Sequence, residues 1–466
     1  MKKKVVINEN NKRTMKLSIK EGAITSIASG AGDNYITPFA LALNASTSQI
    51  GLLSAFTNLI PSIFRIIFSR LMEKFSRRKI IVTFVTLEAL MWLPILLLSL
   101  LLWKNIFTSY LPIILIAFYT VSVIFSAISG PAWFSLMGDI VPEKIRGRYF
   151  GARNKITGVC ALIAVVVASF ILDFFKTKGL VLIGFSILFF SAFIFRFIAS
   201  RLFKRHENPK LKLNKGYYFT FFQFLKKAPS NNFGRFVIFA SLMYFAVNIA
   251  GPFFSVYALK ELKFSYSLYM LVLILAQSFF SLIFMPIWGK FSDRYGNREL
   301  IKIGSFCLML IPFLWLVSPN PIYLILVPQL ISGIGWAAFN LGASNFIYDS
   351  VSQERRGLCV AYYNVLIGTG MFLGAILGGF LGSYLTITFM NKLLFIFLIS
   401  GVLRLVAFFF VPMVKEIKPV AKSNPMLYLK EIRPFRGLLL EFVHDLKAIE
   451  RVTKKGKVSL ELEMEL

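Results

Sequence analysis

Twelve long apolar segments, each bounded by charged residues, glycine or proline, constrain the fold of this chain more than any other feature of its sequence. A helix needs about 20 mostly apolar residues to cross a bilayer, and long segments of this kind are a strong helix signal. The chain lacks the alternating segments of about ten residues that form membrane β-barrels. We therefore predict an all-α membrane protein with twelve transmembrane helices. The segments are 20–43, 48–72, 80–103, 109–137, 147–175, 179–203, 235–259, 266–289, 298–318, 320–348, 357–385 and 388–414.

Positive charge is distributed unevenly among the connections between these segments. Lys and Arg total 52 against 22 Asp and Glu, which gives a net charge of +30. Of the 52, 43 lie in the two tails and in alternate connections, and only six lie in the intervening connections. Cytoplasmic loops retain positive charge, so we expect a multi-pass protein of the cytoplasmic (inner) membrane with both termini in the cytoplasm. This topology, with contact to anionic membrane lipids, explains the charge without nucleic-acid binding.

The segments and charges divide the chain into five parts. These are a cytoplasmic N-tail (1–19), an N-terminal six-helix bundle (20–203), a cytoplasmic central loop (204–234), a C-terminal six-helix bundle (235–414) and a cytoplasmic C-tail (415–466). Within the C-tail, apolar spacing over 437–450 predicts an amphipathic surface helix. The sequence contains no recognisable metal site, phosphate-binding loop or nucleophile triad, so we expect no cofactor and no enzymatic activity, and we expect a monomer.

The two halves share short strings in the same order. Residues 139–154 match 349–364 at a displacement of 210, and residues 69–78 match 289–298 at a displacement of 220. Matches at corresponding helix ends indicate that the halves arose by duplication.

A loop motif in the second half carries a family resemblance. Gly289, Asp293, Arg294, Gly296 and Arg298 match the signature G-x-x-x-D-R-x-G-R-R, which resembles the loop between helices 2 and 3 of the major facilitator superfamily. The resemblance covers about residues 15 to 415 and implies two pseudo-symmetric halves that operate by alternating access. It also implies a cytoplasmic gate, in which acids and arginines of opposite halves hold that side closed. The expected gate residues are Glu73, Arg78, Asp139, Arg146, Gly289, Asp293, Arg294, Gly296, Arg298, Asp349 and Arg356.

Two departures weaken an assignment as a standard drug/proton antiporter of that superfamily. The fourth segment has no central Arg, and the fifth lacks the Gly-Pro signature. Six glycines in 357–385 are expected to allow close helix packing rather than to bind a ligand.

Polar residues at helical spacing mark the faces that avoid lipid. Such stripes occur in segments 1, 2, 4, 7, 8 and 10 and are absent from segments 3, 6, 9 and 12. We expect them to line a cavity, with hydrogen bonding between helices as the alternative. The expected cavity-lining residues are Ser29, Asn34, Asn58, Tyr119, Ser122, Ser126, Tyr244, Asn248, Gln277, Gln329, Trp336 and Asn340.

Three ionisable residues lie deep in the first three segments. Asp33 is 13 residues beyond Lys20, about 20 Å into the helix, and is the strongest candidate for a proton carrier. Arg65 and Glu88 are the other candidates to carry a proton or bind the substrate. Arg65 is predicted to pair with Asp33 in the cavity; the alternatives are a structural pair with Glu88, which suits Arg65 better by depth, or an Arg65 side chain that reaches toward the head groups. Arg196 and Arg404 are expected to be structural or to reach toward the head groups.

The function predicted from the sequence is secondary active transport of a small solute, with the proton as a candidate coupling ion. Efflux of a moderately hydrophobic compound is preferred because the predicted lining is aromatic and largely neutral. Proton-coupled uptake of a sugar or other metabolite is the alternative, and a non-transporting sensor or lipid-handling protein on the same fold is a second alternative.

Overall fold

The computed structural model describes residues 8–68, 71–209, 220–386 and 388–417, apart from the side chains at 73, 143, 144, 147, 148, 353 and 354. The predicted surface helix at 437–450 and the side chain of Glu73 therefore lie outside the described part. The helices of the first half are α1 (Glu9–Ala31), α2 (Ile36–Ala42), α3 (Thr47–Ile67), α4 (Leu71–Lys74), α5 (Arg77–Trp103), α6 (Leu111–Ile140), α7 (Glu143–Thr177) and α8 (Val181–Phe203). Those that follow are α9 (Phe221–Lys227), α10 (Asn232–Val256), α11 (Tyr266–Met270), α12 (Ala276–Tyr295), α13 (Asn297–Val317), α14 (Pro321–Leu326), α15 (Pro328–Ser350), α16 (Gln353–Tyr384) and α17 (Lys392–Phe408).

Each predicted segment coincides with a helix or with consecutive helices, so the predicted all-α membrane fold is confirmed. Among the described residues, eleven helical spans are long and apolar enough to cross a membrane. The first segment differs, because α1 begins at Glu9 rather than at residue 20 and breaks at the turn Asp33–Tyr35 before α2. Its extension is polar, and Thr14, Ser18 and Glu21 are buried against the rest of the bundle.

The two halves repeat one packing arrangement. In the first half, α5 packs against α6 and α8, α1 against α7 and α8, and α3 against α6. In the second, α13 packs against α15 and α17, α10 against α16 and α17, and α12 against α15. These pairs correspond one to one, so the predicted pseudo-symmetric halves are present in the fold.

Helix α16 connects the halves, because it packs against both α10 and α3. A Cβ added to Gly374 would lie 2.2 Å from the carbonyl oxygen of Phe245 on α10. A Cβ added to Gly368 would lie 2.9 Å from the carbonyl oxygen of Asn58 on α3. The glycines of α16 thus permit close backbone approach on two faces, as predicted.

Arg404 is buried without a carboxylate partner and serves the backbone instead. Its Nη1 donates to the carbonyl oxygen of Leu308 at 2.7 Å, and its Nη2 donates to Val247 at 3.3 Å. Proline at 312 has no N–H to donate to the Leu308 carbonyl four residues earlier. Arg404 therefore satisfies an acceptor that Pro312 leaves open, which confirms a structural role.

The His206 side chain, just after α8, is 1% exposed, and neither ring nitrogen has a hydrogen-bond partner among the described residues. Burial, and secondarily the positive charge of Arg153, lower the pKa of this imidazole from 6.5 to about 4. Between those values the unfolded chain binds the proton and the folded chain does not, so the stabilisation present above pH 6.5 is lost as the pH falls.

His206→Phe removes this titration and is expected to flatten the acid side of the stability profile. We expect wild type to lose thermal stability faster than the variant between pH 6.5 and pH 4. Thermal unfolding of both proteins in one buffer series measures the difference. Parallel curves would show that His206 titrates alike in the folded and unfolded chains.

Candidate functional site

Two adjoining cavities lie along α3, and Thr57 lines both of them. We call them the Asp33 cavity, of about 330 Å³, and the Arg65 cavity, of about 270 Å³. The Asp33 cavity has walls from both halves: Asp33, Ile36, Thr37, Ile50, Leu53, Ser54, Thr57 and Tyr119 from the first, and Asn248, Gly251 and Pro252 from the second. The Arg65 cavity is lined by Thr57, Asn58, Pro61, Ser62, Arg65, Val123, Ser126 and Ala127.

Asp33 lies at the break between α1 and α2, and its side chain is exposed to the Asp33 cavity. The Tyr119 hydroxyl on α6 donates a hydrogen bond to Asp33 Oδ1 at 3.2 Å. Gly32, which precedes the turn, lies against Trp92, and a Cβ added there would be 2.6 Å from the Trp92 ring, so the packing requires a glycine. The turn thus presents a carboxylate in the interior of the bundle, where ionisable groups are costly and usually functional.

Glu88 has a partner that the sequence did not predict. Arg196 on α8 donates from Nη2 to Glu88 Oε2 on α5 at 2.6 Å, and from Nη1 to Thr25 Oγ1 on α1 at 2.9 Å. Both charged side chains are largely buried, at 10% and 13% exposed.

The two pairings predicted for Arg65 are both absent from the structure. Glu88 is held by Arg196, and the turn at Asp33 directs that carboxylate to Tyr119. Within the described part of the chain, the Arg65 side chain lines its cavity and makes no hydrogen bond or ion pair.

Sequence reasoning missed a further buried acid, Glu21. Arg153 Nη2 donates to Glu21 Oε1 at 3.0 Å, and Trp133 Nε1 donates to the same oxygen at 3.3 Å. The Arg153 guanidinium also stacks over the Trp133 ring, 4.5 Å from its centroid. The sequence pattern that could have identified Glu21 is a polar stripe at helical spacing, formed by Thr14, Ser18, Glu21 and Thr25. The predicted helix started at residue 20 and therefore left out the first half of this stripe.

Other predicted lining residues divide into three groups. Asn58, Tyr119, Ser126 and Asn248 line the two cavities. Tyr244 donates to Asn340 Oδ1 at 3.4 Å and its ring lies 5.7 Å from that of Trp336, so these three form one cluster on α10 and α15. The third group, Ser29, Asn34 and Gln277, is partly exposed but borders neither cavity, and Asn34 donates to the Ser29 carbonyl.

The prediction that Ser122 and Gln329 line the cavity is wrong. They are 3% and 5% exposed, so they are packed between helices and do not line an open cavity. A polar residue that bonds to a neighbouring helix has the same spacing as one that lines a cavity, and the sequence pattern does not separate them.

We call the end of the bundle at which α1 begins and α17 ends the basic end. There, Arg77 Nη1 donates to Asp139 Oδ2 at 2.7 Å, and Asn297 Nδ2 donates to Asp349 Oδ2 at 2.8 Å. Residues 77 and 297 occupy equivalent places in the repeat, as do the two acids. The duplication is therefore visible in side-chain chemistry.

Further contacts of the gate candidates, among the described residues, also lie within one half. Arg146 donates to Gly138 O and Arg356 to Tyr348 O, again at equivalent positions. Arg78 donates to His206 O, the N–H of Arg298 donates to Glu416, and Arg294 stacks on Tyr295. Gly296 has a φ of 89°, which explains why the motif requires glycine there, whereas an added Cβ at Gly289 meets nothing. Asp293 is exposed at this end.

Among the described side chains, the hydrogen bonds that join the halves lie at the opposite end of the bundle. Asp173 on α7 accepts the backbone N–H groups of Tyr266 and Ser267, at 2.7 and 2.9 Å, where α11 begins. The Ser48 N–H on α3 donates to Ser383 Oγ on α16 at 3.0 Å. We call these contacts the opposite-end gate; pairing between the halves at this end was not predicted from the sequence.

Comparison with known proteins follows the same division into halves. A family model described as Major Facilitator Superfamily matches residues 22–230 and 236–449. Multidrug resistance protein 1 of Bacillus subtilis is 29% identical over 102 residues, 22% of this chain and 26% of that protein. The multi-drug resistance efflux pump PmrA of Streptococcus pneumoniae is 27% identical over 143 residues, 30% of this chain and 34% of that protein. The matches therefore span about a quarter to a third of these relatives' length.

A solved structure of the nucleoside transporter NupG superposes with a TM-score of 0.64. The alignment covers 88% of this chain and 100% of that chain at 16% sequence identity. At this identity the likeness concerns the fold alone.

Proposed function

The chain belongs to the major facilitator superfamily and is a multi-pass membrane transporter rather than an enzyme, and on that premise we propose that it is a secondary active transporter that works by alternating access. The observation that carries the proposal is the Asp33 cavity, whose walls come from both halves and which contains an exposed carboxylate. Rocking of one half against the other would expose such a cavity to each side in turn.

The opposite-end gate supports an assignment of the conformation. The positive-inside rule puts the basic end, with its Lys- and Arg-rich connections, in the cytoplasm. The halves are bonded to each other at the other end. We therefore propose that the structure describes a conformation that is open to the cytoplasm and closed to the outside. Asp293, exposed at the cytoplasmic end, is then a latch residue that engages only when that end closes.

We propose efflux of a moderately hydrophobic solute as the physiological direction. The methyl-bearing and aliphatic walls of the Asp33 cavity favour an apolar solute body. The similarity to a multi-drug resistance efflux pump supports this direction. Proton-coupled uptake of a metabolite is kept as the second candidate, because an exposed intramembrane carboxylate serves either direction.

Counterflow in proteoliposomes tests the proposal. Proteoliposomes that contain a transporter and are preloaded with unlabelled solute accumulate labelled solute without an energy source. Proteoliposomes that contain a sensor or a lipid-handling protein do not. Absence of counterflow with every solute of a broad panel would contradict transport, provided that a thermal-unfolding measurement shows the protein to be folded.

Neutralising the two gates is expected to shift the conformational balance in opposite directions. Asp173→Asn weakens charge-assisted bonds of about 1.5–3 kcal/mol each, so the outward-open population should rise by roughly tenfold or more. Asp293→Asn removes the latch of the other side, so the inward-open population should rise and transport should slow. Alkylation rates of a single cysteine on each side, in a background without the native cysteines, report both populations. Equal labelling in wild type and both variants would remove the two gate assignments.

A further inference from the structure

We propose that the two adjoining cavities form one substrate site with two opposite charged poles, and that this site binds an elongated zwitterion. Asp33 is the pole that receives an ammonium group, and Arg65 is the pole that receives a carboxylate or another anionic group. This inference rests on the proposed transport function and names the chemical class of its solute.

The two poles lie in different cavities, and both cavities lie along α3. Asp33 and Thr57 line one cavity, while Thr57 and Arg65 line the next, so the cavities meet at Thr57. Thr57 and Arg65 are eight residues apart on α3, which is about 12 Å along the helix axis. Arg65 therefore lies about that far along α3 from Thr57, which both cavities share, and a solute that extends from Asp33 past Thr57 can contact both charges.

The other buried charges of this half are already paired. Glu88 is bonded to Arg196, and Glu21 is bonded to Arg153. Among the described residues, Asp33 is hydrogen-bonded to the neutral side chains of Tyr119 and Ser29 and makes no ion pair, and Arg65 has no side-chain partner. The two charged groups that face the cavities are therefore those left for a ligand.

Shape and lining agree with an amphiphilic solute of this kind. The cavities, of about 330 and 270 Å³, together have the size of a small-molecule site. Between the poles the walls supply the hydroxyl-bearing residues Ser54, Thr57 and Ser62 and the apolar residues Leu53 and Pro61. A short polymethylene chain with charged ends fits such a lining, because its middle needs few hydrogen bonds.

The test measures ligand stabilisation of the purified full chain by ω-amino acids, from aminobutyric to aminoundecanoic acid. A ligand that binds only the folded state raises the free energy of unfolding by RT ln(1 + L/Kd), where L is the free ligand concentration, so the rise at a fixed concentration ranks the ligands by affinity. We expect binding to strengthen with chain length up to an optimum. At that optimum, N-acetylation of the amine or conversion of the acid to its amide should weaken binding by roughly tenfold.

Variants assign each preference to its pole. In Arg65→Gln the acid and its amide should bind equally, while the free amine is still preferred over the N-acetyl form. In Asp33→Asn the reverse should hold. Ser62→Ala, which changes the same wall without changing charge, should keep both preferences, and Arg65→Lys should keep the preference for the acid.

Failure of this inference is distinguishable from failure of the proposed function. If no ω-amino acid stabilises wild type, or if Arg65→Gln leaves the acid-to-amide ratio unchanged, the two-pole site is wrong even when counterflow of another solute is measured. If the poles behave as expected but no solute undergoes counterflow, the site stands and transport is wrong.

Discussion

Asp33→Asn is expected to abolish solute accumulation or expulsion against a gradient while leaving energy-independent exchange intact. Asp33 is the deep carboxylate exposed in a cavity that both halves wall, and its hydrogen-bond donor is Tyr119. The interior of the first half contains three acids, Glu21, Asp33 and Glu88, of which Arg153 and Arg196 neutralise two by contact. An uncompensated carboxylate in this setting is costly, so it acquires a proton or a cationic ligand.

The Asn side chain keeps the shape and the hydrogen bond to Tyr119 but carries no proton. The variant should therefore still alternate, and counterflow of a solute without an ammonium group should stay within a few-fold of wild type, whereas transport driven by a pH gradient should be lost. Tyr119→Phe is the matched control, since it removes the hydrogen bond and leaves the carboxylate; it should reduce the driven rate without uncoupling. Persistent pH-driven transport by Asp33→Asn would show that Asp33 is not the proton carrier and would transfer that role to another carboxylate, such as Glu88.

Arg196→Met is expected to cause the largest loss of stability. Arg196 binds Glu88 and Thr25, and so joins α8 to α5 and α1. Removal of one partner from a buried ion pair leaves an uncompensated charge and costs about 3–5 kcal/mol. The Glu88→Gln variant should be destabilised less, because Arg196 retains Thr25 and the nearby acids Glu21 and Asp33.

The double variant Glu88→Gln/Arg196→Met tests whether the pair is the cause. It lacks both charges and should be more stable than Arg196→Met alone, with a coupling energy of several kcal/mol in a double-mutant cycle. Thr25→Val, which removes only the neutral contact, should cost about 1 kcal/mol. Additive effects of the two single substitutions would show that the ion pair contributes nothing beyond packing.

Local pattern was sufficient to predict much of this fold. Apolar length located the helices, repeated strings indicated the duplicated halves, and the glycines of α16 predicted its close packing. Each of these properties follows from a short stretch of sequence that can be recognised without knowing which residues are in contact in the folded protein. The depth of Asp33 could likewise be read by counting turns from Lys20, because rise along a helix is fixed.

Partner choice could not be predicted in the same way. Depth alone made Arg65 a candidate partner of Glu88, but rotation and packing of α8 bring Arg196 to that carboxylate instead. The contact of Asp173 with α11 depends on how one half meets the other, and no local pattern encodes that. Buried Ser122 shows the same limit, since a stripe gives the face of a helix and not what covers it.

Alternating access is tested most directly by distances between spin labels on the two ends of the bundle. One pair, Lys79 and Lys302, lies at the basic end on different halves; the other, Lys178 and Asn320, lies at the opposite end, and all four side chains are exposed. We expect Asp173→Asn to shorten the first distance and to lengthen the second, because the variant shifts the protein toward the outward-open state. Two distances that stay fixed, or that change in the same direction, would contradict alternating access.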